Sequence, residues 1–428
     1  MLAARQGQVD KEKVWREAEQ LLRELGQAES SSLVGRLEKL TKLLALHPWL
    51  RERRRFSGRG VSELLRVEAS KCPEVVALCR EARLRLGDLP PPQSAGPRVL
   101  ALDGGGMRGV VSLVMLQELE QRTGRPVHQL FDLIVGTSTG AILAAMLGLR
   151  KVPATQCLAL YRELGEVVFG RQSKLAGAQG LLARQSYYSD SALETLLQRR
   201  LGPGASLQVP GAPLVALVAT DVTTRRIRPH LFCNYVHPPC QHSGQDTTRD
   251  CSVVAALMAS TAAPGYFPAV QLAGRTLQDG GIVANNPSQL ALLESRSLWP
   301  GLPLQCLLSV GSGRSSHSEE EGDGGLPSAT EKVSRYVESL SDTEGAHSLL
   351  AELLDHTTYF RLNPHLDSLP LLHEVNPKVL ERIQQDTRMY IRRNKFKLGR
   401  LEKSLLRTPS VWDRCVRGVQ GLRRRWHV

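Results

Sequence analysis

The chain has 428 residues, 42% of them apolar and 23% charged. That is ordinary globular composition, which excludes a disordered tail protein and a collagen-like fibre. The net charge is +13, and most of it is local: residues 391–428 hold twelve Lys or Arg against two acids. Eight cysteines without close regular spacing read as mostly buried free thiols of a reducing compartment, not as a disulfide scaffold.

Residues 1–88 read as a helical region. Val14, Ala18, Leu21, Leu22 and Leu25 recur at helical spacing, and so do Leu33, Leu37, Leu40 and Leu44. Asp10, Glu12, Glu17 and Glu19 argue against a transit peptide, and no apolar h-region supports a signal peptide. Residues 89–97, Leu-Pro-Pro-Pro-Gln-Ser-Ala-Gly-Pro, have linker composition. From Arg98 the grammar changes to short apolar strands alternating with helices. Strands are predicted at Arg98–Leu102, Leu133–Val135, Pro213–Thr220 and Leu304–Val310, with helices over Val110–Arg122 and Thr139–Leu149. Such near-continuous apolar strands predict an α/β core over residues 98–314, with a parallel-rich sheet covered on both faces. Residues 315–330 read as a surface loop and residues 331–428 as a helical extension with a basic tail. The best membrane-span candidate, Leu133–Leu149, falls short of the roughly 20 apolar residues required and is interrupted by Gly136 to Gly140. The chain is therefore expected to be soluble or peripheral.

Gly136-Thr137-Ser138-Thr139-Gly140 is a G-x-S-x-G segment between a predicted strand and a predicted helix. A sharp strand-to-helix turn pushes a serine hydroxyl out of the sheet, and the small flanking residues tolerate the backbone it needs. Asp103-Gly104-Gly105-Gly106-Met107-Arg108-Gly109 follows the first strand. Its spacing satisfies G-x-G-x-x-G, so dinucleotide binding is one use, with Asp132 as a misplaced candidate for the ribose acid. The other use is an oxyanion hole built from glycine N–H groups, with Arg108 holding a lipid phosphate or steadying the loop. The serine also needs a base. His356 is one candidate for a Ser-His-Asp triad. The other is Asp279, placed in the tight Asp279-Gly280-Gly281 turn, since a carboxylate can take a serine proton directly.

In combination these segments resemble the patatin-like phospholipase family. The resemblance runs from about Arg98 to Arg314 and includes Ala262-Ala263-Pro264-Gly265-Tyr266-Phe267-Pro268 and Asn285-Asn286-Pro287. It extends more loosely over the helices on either side. It implies a three-layer α/β hydrolase whose Ser138–Asp279 dyad cleaves fatty-acyl esters of membrane glycerophospholipids without histidine, metal or other cofactor. It implies further that Gly104, Gly105, Gly106, Arg108 and Gly109 frame the oxyanion hole. Gly136 and Gly140 then flank the nucleophile, and Gly280 and Gly281 complete the proton-acceptor turn. A rival from another class is a catalytically silent lipid-binding scaffold that kept the fold.

Two smaller groups and the tail complete the reading. Cys233, His237, Cys240 and His242 lie within ten residues, but C-x3-H-x2-C-x-H matches no common zinc site and reads as an ordinary loop. Phe169, Tyr187 and Tyr188 are candidates for an acyl pocket or for core packing. Arg392, Arg393, Lys395, Lys397, Arg400 and Lys403 run beside Phe396, Leu398, Leu401, Leu405 and Leu406, with Trp412 and Trp426 further on. This block predicts an intracellular, peripheral element on an anionic membrane surface and no nucleic-acid partner; the alternative is that its leucines pack on the core. The sequence names no protein partner.

Overall fold

The computed structural model describes residues 11–410 except 26–29, 48, 51–53, 69–72, 87–88, 90–91, 93, 171–189, 210, 237–245 and 316–342. Four helices come first: α1 (Lys11–Leu25), α2 (Ser30–Leu46), α3 (Arg54–Glu68) and α4 (Pro73–Arg85). Their apolar stripes, including Leu22, Leu37, Leu40 and Leu64, close on one another in a separate core. The described residues of the stretch that follows pack on the protein. Ser94, Ala95 and Gly96 are buried, and the Gly96 N–H donates to Gln305 Oε1 at 3.0 Å.

The second and larger unit is a mixed sheet between two helical layers. Its strands are β1 (Arg98–Leu102), β2 (Leu133–Thr137), β3 (Leu214–Asp221), β4 (Arg228–Cys233), β5 (Asp246–Thr248), β6 (Val270–Leu272), β7 (Arg275–Asp279), β8 (Cys306–Val310) and β10 (Tyr359–Leu362). The order is β10-β8-β1-β2-β3-β4-β5, with β7 also on β3 and β6 on β7. β10, β8, β1, β2 and β3 are parallel, whereas β4 and β7 run antiparallel to β3. A two-stranded ribbon, β9 (Arg314–Ser315) and β11 (His365–Leu366), lies apart from it.

Alternation along the strands divides the apolar side chains between two cores. Leu100, Leu102, Ile134, Val215, Leu217 and Leu308 face one layer. That layer holds α5 (Gly109–Thr123), α7 (Thr139–Ala144), α8 (Ala154–Phe169), α9 (Asp190–Leu201), α10 (Val253–Ser260), α14 (Pro377–Arg393) and α15 (Lys395–Leu406). Val99, Ala101, Leu133, Val135, Ala216 and Val218 face the other, formed by α12 (Ser288–Leu298) and α13 (Thr343–Leu353). Strands covered on both faces have no polar side to show, which is why they read as unbroken apolar runs. Two short helices, α6 (Val127–Leu130) and α11 (Gly281–Ala284), complete the elements.

Two expectations need correction. The region after residue 331 is not helical throughout, because β10 joins the sheet beside β8. The apolar side of α15 does not face outward either: Leu398, Leu401 and Leu405 are buried in the same core as α5. A stripe of leucines in water is stabilised by whatever apolar surface it meets first, and here that is the body of the protein. Phe396 alone of that set is largely exposed, at 83%. Trp412 and Trp426 fall outside the described residues. Among the described residues no helix is long and apolar enough to cross a membrane.

Candidate active site

Strand register brings the site together. Leu102 pairs with Gly136 and Thr137 with Val218, so the ends of β1 and β2 stand level beside Val218 of β3, which runs on to Asp221. Asp279 at the end of β7 pairs with Ala219 of β3. Residues 141 positions apart in sequence therefore meet at one edge of the sheet, and Ser138 Oγ donates to Asp279 Oδ2 at 2.6 Å.

Ser138 adopts φ 54° and ψ −118°, a left-handed conformation that side-chain-bearing residues rarely hold. The strain aims the hydroxyl away from the sheet and is sustained by its surroundings. Gly136 and Gly140 are required there: a Cβ on Gly136 would lie 2.1 Å from the Gly140 carbonyl, and one on Gly140 2.2 Å from the Leu102 carbonyl. The Ser138 N–H donates to Ser260 Oγ at 3.2 Å, and Ser260 in turn donates to the Val218 carbonyl.

Asp279 is 3% exposed and held from several sides. Its Oδ1 accepts the Gly281 N–H at 2.7 Å, its main-chain carbonyl accepts Thr220 Oγ1 at 2.7 Å, and its N–H donates to Ala262. Burial pushes its carboxyl up to about 6, against the opposing pull of the Ser138 and Gly281 hydrogen bonds.

The glycine loop covers one side of this pair. The Gly104 N–H is engaged by the Asn285 carbonyl at 3.0 Å, the Met107 N–H by Leu372 at 2.7 Å and the Arg108 N–H by Gly105 at 3.1 Å. The N–H groups of Gly105 and Gly106 take no acceptor among the described residues, and both glycines line a cavity with Ser138, Thr139 and Asp279. Gly106 has φ 52° and lies so close to Leu372 that a Cβ would meet its carbonyl at 2.2 Å. Arg108 is buried against the loop, its Nε donating to the Gly105 carbonyl at 3.4 Å. Gly109 opens α5, packed against Tyr161 and Thr139.

The rest of the cavity is mostly apolar, with Ile142, Leu164, Val168, Phe169, Leu193 and Phe267 on its walls beside Arg108, Thr261 and Asn285. Phe169 thus lines it, while Tyr187 and Tyr188 lie outside the described residues, as do His237, Cys240 and His242. Among the described residues no histidine lines this cavity. His356 stands three-quarters exposed beside Asp355 instead. Asp132 sits at the opposite end of the sheet from the glycine loop, where both its oxygens bind Arg98 at 3.1 Å. Sequence reasoning missed Ser260, Tyr161 and Thr139, the last two of which donate to the Gly106 carbonyl. Ser260 and Tyr161 belong to no motif, and only tertiary proximity marks them; Thr139 is a variable position of the G-x-S-x-G segment. Among the described residues no three His, Cys, Asp or Glu side chains are grouped to hold a metal ion.

A strand–turn–helix serine, a buried carboxylate in contact with it and a glycine loop on a three-layer α/β frame define a protein of the patatin type. Residues 100–292 match the family described as patatin-like phospholipase, and the chain belongs to that family. It is 38% identical over 385 residues to calcium-independent phospholipase A2-gamma of Homo sapiens, covering 87% of this chain and 48% of that protein. The Oryctolagus cuniculus protein of the same name is 37% identical over 390 residues, 88% of this chain and 48% of its own. Phospholipase A I of Arabidopsis thaliana is 30% identical over 352 residues, covering 70% of this chain and 27% of that one. The chain thus spans about half the length of the mammalian relatives it matches.

Proposed function

We propose that the chain is a calcium-independent lipid acyl hydrolase acting on membrane glycerophospholipids through Ser138 and Asp279. The observation that carries this is the 2.6 Å contact of Ser138 Oγ with Asp279 Oδ2 inside an apolar cavity lined by no histidine among the described residues. Asp279 takes the hydroxyl proton as Ser138 Oγ attacks the ester carbonyl, and the negative charge moves to the carbonyl oxygen. The N–H groups of Gly105, Gly106 and Thr139, which line the cavity beside Ser138, are the donors suited to that oxygen. Asp279 then gives the proton to the departing lysophospholipid oxygen, leaving an acyl group on Ser138. Water, deprotonated by Asp279, releases the fatty acid and restores the serine. Gly104 shapes the loop through its bond to Asn285, and Arg108, which also lines the cavity, steadies it through its bond to the Gly105 carbonyl. The apolar walls suit an acyl chain, which leaves water there with little to bind. The same reading makes the protein peripheral on its membrane and intracellular.

The purified chain, given a phosphatidylcholine with two different acyl groups and an excess of EDTA, is expected to release free fatty acid at a rate unchanged by the chelator. No release, or release only with added calcium, overturns the proposal. The pH profile is a separate check. Because burial holds Asp279 near 6, kcat/KM should rise about tenfold per unit below that pH and level off above it. A rising limb displaced to pH 8, or none at all, is incompatible with Asp279 as the base.

A further inference from the structure

The β3–β4 connection reads Val222-Thr223-Thr224-Arg225-Arg226-Ile227 and closes on Arg228, which stands opposite Asp221. Residues 223–228 are all exposed, Ile227 at 50%. Among the described residues no acidic side chain pairs with Arg225, Arg226 or Arg228. The carboxylates at the base of the hairpin are turned elsewhere: Arg275 binds both Asp221 and Asp246.

The tip is stiffly mounted. Thr223 donates its N–H to Asp221 Oδ1 at 2.9 Å, and its Oγ1 accepts the Thr276 N–H at 2.9 Å. The Val222 N–H donates to the Thr276 carbonyl at 2.9 Å. A preformed tip loses little freedom when it docks.

Its position follows from register. Ala219 pairs with Asp279, and β3 then continues through Thr220 and Asp221 before the tip begins. At about 3.3 Å per residue this carries the hairpin some 7 Å past Asp279 before it turns. The tip therefore projects from the edge of the sheet that holds Ser138 and the glycine loop. An exposed isoleucine among three arginines fits the headgroup layer of a bilayer, with the apolar chain at the acyl boundary and the guanidinium groups on phosphate oxygens.

We propose that this hairpin tip docks the protein on anionic lipid headgroups, setting the catalytic edge against the bilayer. The inference rests on the acyl-hydrolase reading for its use but not for its measurement. It also moves the docking role away from the leucines of α15, which the core has taken.

The test is sedimentation of the full chain with phosphatidylcholine vesicles, with and without phosphatidylserine, beside hydrolysis of those vesicles and of a dissolved short-chain ester. Each arginine facing an anionic leaflet is worth about a fivefold factor in partitioning. The variant Arg225→Glu/Arg226→Glu/Arg228→Glu should therefore lose anionic-vesicle binding by on the order of a hundredfold or more. Its vesicle hydrolysis should fall in step while short-chain turnover and circular dichroism stay as in wild type. Ile227→Ser, a milder change, should weaken binding severalfold on both vesicle types. Wild-type binding to anionic vesicles by the triple variant overturns the proposal, and so does equal wild-type binding to vesicles with and without phosphatidylserine. If wild type docks as described but cleaves neither substrate, the docking stands and the hydrolase reading is the one that fails.

Discussion

Asp279→Asn should lower kcat on phospholipid by about 10²–10⁴, the usual contribution of a positioned general base. Ser138→Ala should leave only the slow reaction that the loop N–H groups can support without a nucleophile. The proposed mechanism uses serine and carboxylate as one unit, so it predicts a double variant little worse than the poorer single one. His356→Ala should turn over like wild type, since that ring lies out in solvent beside Asp355. The amide should also stabilise the fold. Burial raises the Asp279 carboxyl from the usual 3.8 to about 6, so the folded chain holds more protons than the unfolded one between those values. Stability from this group accordingly falls as pH rises through that window and stays reduced above it. Asn carries no charge to bury, so Asp279→Asn should gain about 3 kcal/mol at pH 8 and only about 0.5 kcal/mol at pH 4. Chemical denaturation of both forms at the two pH values, with turnover measured alongside, decides the matter. A variant that keeps near-normal turnover, or that is destabilised at pH 8, would rule out Asp279 as a buried general base.

The parts of this fold that were legible in the sequence are those whose cause is local. Gly136 to Gly140 announces its turn because small residues are needed wherever backbone passes within 2.2 Å of a would-be Cβ. The strand Leu214 to Asp221 announces itself because it is covered on both faces. What stayed hidden depends on partners far along the chain. Tyr359-Phe360-Arg361-Leu362 does not look like a sheet strand, since a cation interrupts four residues, and its burial makes sense only beside Asp103. β4 and β7 are broken by Pro229, His230 and Gln278, so neither shows the unbroken apolar run that marks β3. The leucines of α15 were visible as a stripe, but periodicity cannot say whether protein or membrane will cover it. Asp279 could be nominated from its turn, whereas its approach to Ser138 is a product of register. Ser260 and Tyr161 carry no local signal, yet they hold the elbow and the glycine loop in place.

Arg361 is where the largest stability effect is expected. Its guanidinium is 3% exposed, with one nitrogen 2.8 Å from Asp103 Oδ2 and 3.2 Å from Glu344 Oε1, and another 2.9 Å from Ser309 Oγ. Asp103 immediately precedes the glycine loop, and its N–H is tied to Val310 in β8 at 3.1 Å. The ion pair thus clamps the root of that loop to β8 and β10. Arg361→Met fills much of the same space but leaves the Asp103 carboxylate buried without its cation. Breaking one side of such a pair typically costs about 3–5 kcal/mol, because the remaining charge has lost both water and partner. Asp103 Oδ1 already has no hydrogen-bond partner, so no neighbour stands ready to compensate. Burial holds Asp103 up near 6 even with Arg361 pulling it down, and without the arginine it must rise further. Since a raised folded-state carboxyl lowers stability as pH climbs through its window, the loss in Arg361→Met should be larger at pH 8 than at pH 5. Adding Asp103→Asn should recover much of that loss by removing the stranded charge. Arg361→Lys should fall between, keeping the charge but not the planar fork that reaches Asp103, Glu344 and Ser309 together. Urea titrations of the two single variants and the double variant form the cycle. A cost below about 1 kcal/mol, or strictly additive losses, would mean that the pair does not clamp the loop.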